Sequence, residues 1–102
     1  SWDLLDALED RVRESPAYDE AERLRMVALI SARRGRVARV AGRHDDAEVW
    51  YAQAIRLARR GPASQRWADG MPHALLGLAA LASNRGNYPE ARRLVLRVLA
   101  KA

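Results

Sequence analysis

The sequence predicts an all-α domain of about five antiparallel helices, packed as stacked hairpins. Apolar residues recur at helical spacing between sparse proline and glycine marks, and no stretch reads as a strand. In addition, one turn phrase occurs twice: G-R-H-D-D-A at 42–47 and G-N-Y-P-E-A at 86–91, 44 residues apart. A glycine, four mostly polar residues and an alanine opening an amphipathic run are what a helix hairpin needs at its bend.

Each element follows in order. Leu4, Leu5, Leu8 and Val12 define a first helix, with Asp3 and Asp6 in the first turn, where carboxylates suit the helix dipole. Ser15-Pro16 ends it and is suited to start the next, serine as cap and proline at the first helical position. The second run extends over 17–41 on Leu24, Val27, Ile30, Val37 and Val40, and Gly42 fits a left-handed terminating position. A third, over 45–60, uses Ala47, Trp50, Tyr51, Ala54, Ile55 and Leu57 and stops at Gly61-Pro62. Pro72 lacks an amide hydrogen, so Gly70-Met71-Pro72 reads as a kink or break before a regular helix over 72–84. Gly86 closes that helix, and a last one over 89–100 carries Ala91, Leu94, Val95, Val98 and Leu99. The chain is thus expected to be one domain over 1–102: an acidic helix and lead-in (1–27), a first unit (28–60), a kinked or extended connection (61–71) and a second unit (72–102).

Composition narrows the function classes. With 49% hydrophobic and 30% charged residues the chain is an ordinary globular sequence, not a disordered one. Its longest apolar stretch, A-L-L-G-L-A-A-L-A at 74–82, is far short of a membrane span, and no secretory leader is visible. The absence of cysteine excludes disulfides, thiolate zinc sites and cysteine nucleophiles, and a cytoplasmic location is expected. The net charge of +5 is unevenly spread: residues 1–24 sum to −5 and the remaining 78 to +10. Such asymmetry fits an acidic partner, or an acidic head lying against a basic body.

Aligning Gly42 with Gly86 brings Ala38, Gly35, Ala32 and Ala28 onto Ala82, Ala79, Leu76 and Pro72. Both first helices thus carry a stripe dominated by small residues, which Ala47 and Ala91 of the second helices are expected to meet. The run Leu78-Ala79-x-x-Ala82-x-x-x-Gly86-Asn87-Tyr88-Pro89-Glu90-Ala91, followed by Val95 and Val98, resembles a tetratricopeptide repeat. Gly35, Ala38, Gly42, Ala47, Tyr51 and Ala54 match the same pattern in the first unit, which departs at Arg34, where the family prefers leucine, and at Ser31, where a large aromatic is common. The resemblance covers roughly residues 28–100. Its period of 44 exceeds the family's usual 34 and is similar to longer repeats in bacterial transcriptional regulators and signalling ATPases. It implies a right-handed solenoid without catalytic activity or cofactor, acting in protein–protein interaction.

Along the second helix, Arg33, Arg36, Arg39 and Arg43 share one face by their spacing. By the resemblance, first-helix residues line an inner groove: Arg33, Arg36, Arg39 and Val40 from one unit, His73, Leu76, Ala80 and Asn84 from the other. A basic wall beside a small-residue, apolar wall suits an acidic peptide segment. The helix over 1–14 could itself fill that groove, its acids meeting the arginines. Nucleic acid is a weaker alternative, since Trp2, Trp50 and Trp67 are too scattered for a stacking platform. His44-Asp45-Asp46 reads as a solvated turn with an aspartate cap, and Asp69 with His73 as an unaligned pair; neither forms a metal or catalytic set. Finally, Leu96, Val98 and Leu99 lie on a last helix whose apolar residues cover more than one face. Association with another copy through that helix is the alternative function.

Overall fold

The computed structural model describes residues 2–67 and 70–101, and at Trp2 the backbone alone. The described residues form five α-helices, α1 (Trp2–Glu14), α2 (Glu20–Val40), α3 (His44–Arg60), α4 (Gly70–Asn84) and α5 (Tyr88–Leu99), with a short 3₁₀ turn at Ala63–Gln65 between α3 and α4. Among the described residues there is no strand. Short turns fold α3 back along α2 and α5 back along α4; α4 also packs on both helices of the first hairpin, and α1 lies along α2.

The repeated phrase builds the same turn twice. Gly42 and Gly86 have φ of 80° and 78°. Arg43 N donates to Ala38 O and Asn87 N to Ala82 O, each at 2.8 Å, while Gly42 N donates to Arg39 O and Gly86 N to Ser83 O, each at 3.0 Å. Only glycine takes that φ without a Cβ penalty, and the paired bonds satisfy the last carbonyls of the preceding helix. The bend is therefore encoded locally.

Packing joins the hairpins through α4. One cluster gathers Val27, Ala28, Leu57, Ala58, Met71, Leu75, Ala79 and Leu94; the other gathers Ala32, Ala38, Ala47, Tyr51, Ala54, Ala74 and Leu81. As expected, Ala47 meets the small-residue stripe of α2, and it is wholly buried.

Two boundaries differ from the sequence reading. Helix α2 begins at Glu20, because Asp19 and Glu22 form a capping box: Glu22 N donates to Asp19 Oδ1 at 2.8 Å and Asp19 N to Glu22 Oε1 at 3.4 Å. Ser15-Pro16 instead makes a local turn in which Ser15 Oγ accepts from Ala17 N. Around Pro72 there is no break. Helix α4 starts at Gly70, so Pro72 sits in its first turn, where no intrahelical donor is required.

Candidate functional site

Helices α2 and α4 run side by side, and a cleft of about 160 Å³ opens between them. It is lined by Ala32, Arg33, Arg36 and Arg39 from α2, Tyr51 from α3, and His73, Leu76 and Gly77 from α4. Five of the eight groove residues expected from the sequence, Arg33, Arg36, Arg39, His73 and Leu76, are thus brought together. The other three lie outside the cleft lining: Val40 is 75% exposed on the last turn of α2, and Ala80 and Asn84 follow farther along α4.

Tyr51 makes the floor. Its ring is 2% exposed and fills the space between two glycines. A Cβ on Gly35 would lie 2.7 Å from the ring, and one on Gly77 only 2.2 Å from it, below any real carbon–carbon contact. The ring reaches the cleft because both flanking helices lack a side chain there. At its tip the phenol oxygen accepts from Arg39 Nε at 3.2 Å, which holds that guanidinium at the rim. Sequence reasoning placed Tyr51 in the repeat pattern but missed this role. The signal was available in Gly35 and Gly77, interior helical glycines that each cost helix stability and so call for a close neighbour.

The arginines make the rim cationic. No carboxylate among the described residues lies within ion-pair distance of Arg33, Arg36, Arg39 or His73. Guanidinium groups present rigid forks of donors that match carboxylate or phosphate oxygens, and Leu76, 45% exposed, offers apolar surface beside them.

Helix α1 does not occupy this cleft; two of its acids, Asp6 and Glu9, go to Arg34. About 100° separates consecutive residues around a helix, so Arg34 points away from Arg33. Its side chain is buried, stacks on Trp50 at 5.0 Å from the ring centroid, and donates to both Asp6 and Glu9 of α1. Burial would raise the pKa of Glu9, but hydrogen bonds from Arg13 and Arg34 outweigh it and hold the carboxyl below its ordinary value. The departure from the family pattern at Arg34 is therefore occupied by a specific partner.

The remaining candidates separate. His44 opens α3, Asp46 turns to Arg43 and Asp45 to Arg85, each at 3.5 Å, and Glu48 also meets Arg85 at 2.8 Å. Neither aspartate caps α3, whose N-cap Arg43 makes no side-chain capping bond; Asp46 stays within its own turn, and Asp45 ties that turn to the second one. Asp69 lies outside the described residues. Trp50 and Trp67 are half-buried. On α5, Leu96 and Leu99 are 50% and 61% exposed, whereas Val98 is partly buried and packs against the core cluster from another side of the helix. No helix of the described residues is long and apolar enough to cross a membrane.

Comparison with known proteins finds no matching family model, no matching curated protein and no matching solved structure.

Proposed function

We propose that this chain is a non-catalytic interaction module, built from tetratricopeptide-like hairpins, that binds an acidic segment of another protein along the cleft between α2 and α4. The observation that carries it is the cluster of Arg33, Arg36 and Arg39 around one cleft, with His73 beside them and no carboxylate among the described residues in ion-pair contact with these arginines. Elsewhere among the described residues Arg13, Arg34, Arg43, Arg85 and Arg93 are each matched with a carboxylate, while Arg25, Arg59, Arg60 and Arg92 are not; what sets the cleft apart is that three unmatched arginines line one opening. Three guanidinium groups converging on one opening favour an external anion, and the exposed Leu76 beside them offers a contact that a free ion would not use. The duplicated glycine turn and the sharing of α4 between both core clusters support the repeat-type stacking.

Fluorescence anisotropy with a labelled Glu/Leu-rich peptide tests this reading. Reversal at Arg33→Glu and Arg36→Glu should weaken binding by about tenfold or more, since each lost charge-assisted contact is worth about 1.5–3 kcal/mol. Both side chains are exposed, so helicity should be unchanged. Equal affinity of both proteins for the peptide would sink the proposal. Tight, steeply salt-dependent binding of a DNA duplex in preference to the peptide would move the function to nucleic acid.

A further inference from the structure

The outer faces of the first and last helices complement each other in charge. On α5, Tyr88, Leu96 and Leu99 are 66%, 50% and 61% exposed. With the exposed Arg92 they fall at helical spacing on one side of the helix. On α1, Asp3, Asp10 and Glu14 are exposed at the same kind of spacing with Ala7 between them, and Leu8, 41% exposed, lies toward the buried edge. None of those three carboxylates takes part in an ion pair among the described residues. Helix α1 carries five acids against two arginines, while α5 with Lys101 carries four basic groups against one acid.

We infer that copies of this chain associate head to tail, the outer face of α1 on one copy seating on the outer face of α5 on another. Charge selects this pairing. Two α5 faces brought together would set Arg92 against Arg92 across a symmetric contact; α1 on α5 sets Asp10 and Glu14 against the arginine while the leucines and Tyr88 are covered. The two faces belong to different helices, so the contact is heterologous and can propagate beyond a dimer. A single helix-on-helix contact buries less than a standard stable interface, which makes the association weak, concentration-dependent and salt-sensitive. The inference is independent of the α2–α4 cleft.

Light scattering of the purified chain across a concentration series tests it. The weight-average mass should rise about twofold or more toward about 1 mM and fall back in about 1 M salt. A variant with Asp3→Arg, Asp10→Arg and Glu14→Arg should remain a single chain, as should Leu96→Glu with Leu99→Glu. Mixed in equal amounts, these two variants should form a complex of two chains and nothing larger, because one intact α1 face meets one intact α5 face. Circular dichroism checks folding; if the triple reversal loses helicity, Asp10→Arg against Leu99→Glu carries the same comparison. A wild-type chain that stays monomeric throughout overturns the inference. So does an α1 variant that self-associates as wild type does, or a folded pair of variants that fails to combine.

Discussion

The two hairpins, α2–α3 and α4–α5, share a turn and differ in their filling. At equivalent positions the first has Tyr51, Gly35, Arg34 and Trp50 where the second has Val95, Ala79, Leu78 and Leu94. Each change is answered by another. A ring in place of valine leaves no room for a Cβ across from it, and the partner position holds glycine instead of alanine. An Arg–Trp stack replaces a pair of leucines where α1 brings two carboxylates. The turn is therefore a property of local sequence, while the filling of each unit is set by the element packed on it.

The largest test of that contrast is at Gly77. Alanine there would put a Cβ into the Tyr51 ring, which is walled in by Gly35 on the other side. We expect Gly77→Ala to cost about 2–3 kcal/mol, read as a lower urea midpoint at unchanged slope. Tyr51→Val copies the second unit and leaves a cavity, costing a comparable amount alone. Combined, the two should cost clearly less than their sum, because the shorter side chain makes room for the added methyl. Additive costs would mean that the ring does not set the spacing of α2 and α4.

A smaller effect is expected at Arg34. Arg34→Leu imports the second unit's residue but leaves Asp6 and Glu9 facing an apolar side chain. Asp6 is about half exposed, so the loss is discounted to about 1–2 kcal/mol. It should appear as protection lost from α1 amides while those of α3 and α4 remain slow to exchange. Acid should release the same helix in the wild type. The pKa of Glu9 is depressed in the folded state, so its contribution is complete above the ordinary value of 4.5 and is lost as pH falls through the lower folded value. Uniform loss of protection along the chain would show that α1 is no separate unit.

Much of this was legible in the sequence, and the reasons are local. Apolar periodicity and glycine position gave five helices, and the spacing of Arg33, Arg36 and Arg39 placed them on one face. Local competition between caps was harder to judge: the Asp19–Glu22 box displaces the Ser15-Pro16 start because it satisfies donors reciprocally. Tertiary choices were not legible. That Tyr51 fills the gap beside Gly77 depends on which helix α4 packs against, and that α1's acids select Arg34 over Arg33 depends on which side of α2 the helix docks. Gly35 and Gly77 mark a close contact but not the side chain that fills it, and nothing within one helical turn marks Arg34 over Arg33.

The finest comparison is between the turns themselves. Gly42 and Gly86 have nearly the same φ, the same pair of hydrogen bonds, and nothing within 4 Å of an added Cβ. Alanine at either position therefore meets no neighbour, and its cost is only that of holding an L-residue in left-handed backbone, partly offset by a stiffer unfolded chain. That amounts to about 1 kcal/mol at each site, and the two losses should agree within about 0.5 kcal/mol and add when combined, as distant sites do. Matched losses by urea denaturation would show that the repeated phrase is one physical device used twice. A cost at Gly42 well above that at Gly86 would instead tie the first turn to its neighbours, the Arg85 bridge to Asp45 and Glu48 being the first contact to remove in the Gly42→Ala background.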